Sequence, residues 1–226
     1  MGQFESKPES NEAKDKQNLW NKTLDDLDRV ADRLGMPIDA GIKETVAAFV
    51  VNEFPTYGSC EGHVEERFDK KIKLRPYIAV GLNEPRQRFI GESEIKERIA
   101  AGYGISAEKL EENDAAERAY WNYIQEQDVP ETPEYLAVRI KNEELQKSLQ
   151  QILEAFYQNR QANKDTSLTI ERIGPAGHFR MTTAKENSKD VREFDMERSR
   201  RQLMVEQEEI KAFTHFLKAR FFGQMP

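Results

Sequence analysis

The sequence predicts an α+β domain: a small, mostly antiparallel sheet of about four strands, packed by long helices as a two-layer sandwich with a helical insertion. Three observations point there. From Glu134 to Arg160, Leu136, Ile140, Leu145, Leu149, Ile152, Leu153, Phe156 and Tyr157 follow one helical face. Residues 167–173 and 178–183 alternate apolar and polar around Gly174-Pro175-Ala176-Gly177, the pattern of a β-hairpin. Strands this few and this tightly connected pair antiparallel, and the long helices then cover one face.

Each element has its own signal. Residues 1–16 are polar and predict a disordered tail, with 17–226 forming one domain. Leu24, Leu27, Val30, Ala31 and Leu34 repeat at helical spacing, so a first helix is expected from Leu19 to Leu34, closed by Gly35 and Pro37. Asp39 is placed to cap a second helix, Ala40 to Asn52, whose stripe is Ile42, Val46, Phe49 and Val50; Pro55 stops it. Thr56 to Cys60 reads as a short strand entering a loop. Glu65 to Lys73 is charged and expected to be exposed. Leu74 to Leu82 reads as a strand. Residues 83–133 are more polar, with Tyr120, Trp121 and Ile124 on one side of a helical stretch, and read as the insertion. A polar link over 185–189 leads to a last helix, Val191 to Phe222.

Composition narrows the function classes. Of 226 residues, 33% are charged and 38% apolar, and the net charge is -7. That balance argues against nucleic-acid binding by bulk electrostatics. No run approaches the roughly 18 apolar residues that cross a bilayer, so no membrane span is expected. The start lacks a signal-peptide pattern, and a lone cysteine fits a reducing compartment, so a cytoplasmic protein is expected. Met1 to Ser6 formally matches an N-myristoylation pattern, but an acidic tail without a basic patch makes a poor second anchor. P-loop, G-x-G-x-x-G, H-E-x-x-H and G-x-S-x-G motifs are absent.

The densest chemistry lies in Thr56-Tyr57-Gly58-Ser59-Cys60-Glu61-Gly62-His63, with the sole cysteine and one of three histidines. A thiolate is the nucleophile or metal ligand, and an imidazolium or loop amides nearby favour it. One turn brings His63 to Cys60. Cys60 is therefore the candidate nucleophile, His63 its base or thiolate partner, and Glu61 the group that orients the histidine. Thr56, Ser59 and Gly62 supply hydroxyls and close approach for a ligand. Cys-x-x-His is half of a zinc site; zinc would need His178, His215 or a carboxylate brought in by the fold. No metal ligand set or cofactor is assigned from the sequence. The structural alternative makes Cys60 a small buried residue and the glycines a plain turn.

Other candidates sit on strands. Arg75 and Arg180 can hold an anion bidentately, and with His63 they would make a small cationic pocket; His178 completes the site if the hairpin lies next to the Cys60 strand. The last helix mixes Arg192, Arg198, Arg200 and Arg201 with many acids, which reads as a solvated face. Its Phe213, Phe216, Leu217, Phe221 and Phe222 serve the core or a partner copy.

Asp39-Ala-Gly-Ile-Lys-Glu-Thr-Val, the Thr56 to His63 loop and Arg75-Pro-Tyr-Ile-Ala-Val together resemble a group of uncharacterised bacterial proteins. Their pattern is a helix, T-x-x-S-C-E-G-H, a spacer and P-[WY]-[IV]. Leu153 to Arg160 and Gly177 to Met181 resemble that group too. The likeness implies a site at the loop and no particular reaction. The expectation is a protein that binds a small, anionic ligand at Ser59 to His63, with thiol chemistry there. The alternative is an interaction or assembly module, a homo-oligomer through the C-terminal helix, in which the loop is structural.

Overall fold

A computed structural model of the chain describes residues 11–31, 35–67, 70–158, 160–161, 163–184 and 195–224. The acylation pattern, most of the expected tail and the 185–189 link lie outside the described residues. In chain order the elements are α1 (Asn11–Leu27), α2 (Ala40–Val51), β1 (Thr56–Cys60), β2 (His63–Arg67), β3 (Lys70–Leu74) and β4 (Tyr77–Val80). Then come α3 (Glu92–Gly102), a 3-10 helix (Ala107–Glu112), α4 (Asp114–Glu126) and α5 (Pro133–Tyr157). The chain continues through β5 (Leu168–Ile173), β6 (His178–Thr183) and α6 (Met196–Phe222).

The fold is α+β, with an antiparallel four-stranded sheet in the order β1-β4-β6-β5 and a separate β2-β3 ribbon. The β5-β6 hairpin lies where the alternation placed it. Its register puts Ser59, Ile78, Met181 and Ile170 in one row across the sheet, and Cys60, Tyr77, Thr182 and Thr169 in the next. Neighbouring rows point to opposite faces.

The helices cover the face of Ile78, Val80, Phe179 and Met181. α2 is apolar nearly all round, so it sits at the centre, with Ile42, Val46, Ala47, Ala48 and Phe49 buried. α1 adds Trp20, α5 adds Leu149, Ile152, Leu153 and Phe156, and α6 adds Ile210, Phe213 and Leu217. Phe213 meets Phe156 at 5.2 Å and Phe49 at 6.2 Å between ring centroids. Phe213 and Leu217 are thus core residues, and Phe216, Phe221 and Phe222 pack partly buried against them. The aromatic cluster expected to serve either core or partner is spent on the core. On α6 the exposed large apolar side chains are Met204 and Val205.

Residues 83–133 enclose a second apolar cluster of Phe89, Ile95, Leu110, Ala116, Tyr120 and Ile124. Buried Glu92 ties it together, accepting hydrogen bonds from Arg88 and Phe89 backbone N–H and the Tyr120 hydroxyl, and an ion pair from Lys96. Buried Asn142 on α5 accepts Leu82 N–H at 2.9 Å and donates to Ala176 O at 2.9 Å, fixing both chain crossings at that end of the sheet.

Several boundaries differ from expectation: Leu74 ends β3, the strand expected over Leu74 to Leu82 is Tyr77–Val80, and α5 stops at Tyr157 rather than Arg160. α1 includes residues 11–16, assigned above to the tail, and ends at Leu27 rather than Leu34. A polar face is no bar to a helix when it carries pairs such as Lys16–Glu12 at 3.0 Å. The charged stretch after the loop is the β2-β3 ribbon. β2 breaks alternation at Glu65-Glu66, and β3 offers only Ile72 and Leu74 among lysines, so the pattern is weak. No helix among the described residues is long and apolar enough to cross a membrane.

Candidate functional site

The site stands at the corner of the sheet where β1 ends. Cys60 is the last residue of β1 and pairs with Tyr77, the first of β4. The chain turns through Glu61 and Gly62, and His63 opens β2. Gly62 has φ +83°, and a Cβ there would lie 2.7 Å from Leu203 Cδ1, 2.8 Å from Pro76 N and 2.9 Å from Leu74 O. Glycine alone fits. The turn sets His63 Nε2 3.2 Å from Cys60 Sγ, while Gly62 N–H donates to the same sulfur at 3.3 Å. The expected Cys60–His63 contact is thus made, on the sheet face opposite the main core.

Two carboxylates frame the pair by an exchange of roles. Asp39 occupies the position before α2, yet its side chain makes no capping bond to that helix. It reaches across to accept Glu61 N–H at 3.2 Å. Glu61 reaches back, and its Oε2 accepts Gly41 N–H at 2.9 Å, inside the first turn of α2. Glu61 therefore satisfies the positive helix start, and does not orient His63. Asp39 is the acid that joins the pair: the ligating atoms of Asp39, Cys60 and His63 all lie within 4.8 Å of one another. The fold supplies the carboxylate that a Cys-x-x-His pair lacks.

α6 holds the corner from beneath. Gln207 donates to Glu61 O at 3.0 Å, Leu203 sits under Gly62, and Lys73 Nζ on the ribbon meets the buried Glu206 at 2.8 Å.

The electrostatics oppose a bare thiolate. Burial pushes the Cys60 thiol up, the charges of Asp39 and Glu61 push it further, and the Gly62 N–H acts against them. Cys60 is 7% exposed. Burial likewise raises Tyr77, with the Cys60 charge adding to it.

The remaining predicted residues do not converge here. Ser59 shares the core-facing row with Ile78, on the opposite face from Cys60. Thr56 lies at the other end of β1, beside Val80. Arg75 donates to Thr183 O and pairs with Glu171 at 3.2 Å. Arg180 grips the same Glu171 at 2.8 and 2.6 Å. The two arginines thus hold an internal carboxylate, which leaves Glu171 below the ordinary value: burial alone would raise it, and the arginine bonds outweigh that. His178 is four residues along β6 from Thr182, about 13 Å from the Cys60 row. It bonds Leu82 O at 2.7 Å, pairs with Glu84 at 3.3 Å and packs on Tyr57. The cationic pocket expected from Arg75, Arg180 and His63 is therefore not assembled, and His178 does not complete the site.

Asp39, Tyr77, Leu203 and Gln207 are the site residues that sequence reasoning missed. Asp39 carried a signal, an acid before a helix, but that signal named the wrong partner. A cavity of about 600 Å³ along α5, lined by Gln150, Glu154, Tyr157 and Leu168, offers neither cysteine nor histidine. No family model matches the chain, and neither does any curated protein or solved structure.

Proposed function

We propose that this protein binds a small ligand at the Asp39–Cys60–His63 corner, with the thiol–imidazole pair as the group that engages it. The observation that supports this most is the 3.2 Å approach of Sγ to Nε2, made on a turn that admits only glycine. The chain's single cysteine and one of its three histidines meet there.

The surroundings favour an electron-poor ligand over the anion expected from the sequence. Asp39 and Glu61 flank the sulfur, while Arg75 and Arg180 are held by Glu171. In thiol chemistry His63 takes the proton of Cys60 as the sulfur engages the ligand, and Asp39 offsets the imidazolium. The lone cysteine supports a cytoplasmic setting. The assembly alternative has lost its aromatic cluster to the core.

Labelling with iodoacetamide tests the reading, since each chain has one thiol. Cys60 in the folded protein should react slowly, and His63→Ala should slow it by about tenfold or more. Labelling only after denaturation would reduce the corner to a packing feature.

A further inference from the structure

We infer that Asp39, Cys60 and His63 are the protein ligands of a divalent transition-metal ion, zinc being the ion they fit best; this rests on the reading of the corner as the ligand site and names the ligand. Three arguments carry it. The donor set is the first. Sulfur, imidazole nitrogen and carboxylate oxygen are the three atoms zinc takes, whereas magnesium and calcium take oxygen alone. One thiolate, one carboxylate and one neutral imidazole also sum to the charge that balances a divalent cation.

Geometry is the second. Zinc holds sulfur at about 2.3 Å and nitrogen at about 2.0 Å, so tetrahedral angles place those two atoms about 3.5 Å apart. The observed separation is 3.2 Å. The donor atoms of all three residues lie within 4.8 Å of one another, so tetrahedral closure asks a shift on the order of 1 Å. Among the described residues no other group of three His, Cys, Asp or Glu side chains converges in this way.

Support around the ligands is the third. Metal ligands are held by outer hydrogen bonds. Gly62 N–H reaches the Cys60 sulfur at 3.3 Å and Glu61 N–H reaches Asp39 at 3.2 Å. The bonds of Glu61 to Gly41 and Gln207 fix the segment that supplies both. Three protein ligands leave the fourth tetrahedral position to water or a substrate oxygen, the pattern of catalytic zinc rather than structural zinc. A metal ion there would also give the corner its point of attachment for an oxygen-bearing small molecule.

The test uses the full chain, stripped with a chelator and kept reduced. Zn²⁺ is titrated against a chromophoric chelator, and Co²⁺ is followed by its absorption. We expect stoichiometric zinc, and a sulfur-to-cobalt charge-transfer band that disappears in Cys60→Ser. His63→Gln and Asp39→Asn should each weaken zinc by about tenfold or more. Glu171→Gln, outside the corner, should change neither readout. Circular dichroism reports the fold of each variant; if Asp39→Asn unfolds, Cys60→Ser decides, because it replaces a single atom. Absence of both zinc competition and the cobalt band overturns the inference, as does zinc binding that survives unchanged in Cys60→Ser. Iodoacetamide then separates the two failures. His63-dependent labelling of the folded chain leaves a ligand site without a metal, and labelling only after denaturation removes the site as well.

Discussion

Gly62 decides whether the corner exists. Its φ of +83° and its contacts with Leu203, Pro76 and Leu74 leave no room for a side chain. Gly62→Ala should therefore cost roughly 1–3 kcal/mol of backbone strain, read as a lower urea midpoint, and should separate Cys60 from His63. An unchanged midpoint would mean that the turn tolerates a Cβ. At this scale the sequence was half legible. Cys60, His63 and the need for Gly62 follow from residue type and local spacing. Asp39 and Glu61 do not, because each acts on the other's segment across about 20 residues of chain, and an acid before a helix reads locally as its own cap. Arg75 and Arg180 misled for a related reason: nothing local tells a free guanidinium from one already holding Glu171.

Among the elements, α6 and the β2-β3 ribbon hold the site in place. Glu206 is 1% exposed on α6 and takes its charge partner, Lys73, from β3. Removing one member of such a pair leaves a buried charge uncompensated. Lys73→Met should destabilise by about 3 kcal/mol, and the added change Glu206→Leu should recover much of that loss, as measured by chemical denaturation. Equal losses in the single and double variants would contradict the pairing. The long amphipathic helices and the β5-β6 hairpin were legible because each buries one face, which imprints a period on the sequence. The ribbon was not, since Glu66 puts charge where alternation from Val64 would need an apolar residue, and Ile72 and Leu74 are too few among lysines to stand out. The start of α1 was missed for the same reason, a polar run being mistaken for a lack of order.

The described residues form two apolar cores, and the smaller one is built around an acid. Burial alone would raise the Glu92 carboxyl, but bonds from Lys96, Phe89 N–H, Arg88 N–H and Tyr120 outweigh it and hold the group below its ordinary value. A carboxylate depressed in the folded state stabilises above its unfolded pKa, and that contribution fades as pH falls through the folded value. Thermal melts should show Glu92→Gln less stable than the parent at neutral pH, with the gap closing on acidification below about pH 4. A gap independent of pH would assign the loss to packing. The fold class was legible at this scale because the order of elements leaves few ways to bury their faces. The second core was foreseen only as a helical stretch with a greasy side.

The central claim, that Cys60, His63 and Asp39 act as one site, is tested most directly by the rate at which iodoacetamide labels Cys60, with and without zinc, in the parent and in Asp39→Asn. The account predicts slow labelling of the folded parent that zinc suppresses, and labelling of the variant that takes about tenfold more zinc, or more, to suppress. A thiol that reacts at the same rate with and without zinc in the parent would contradict the metal site, and one that reacts only after denaturation would contradict the corner as a site of any kind.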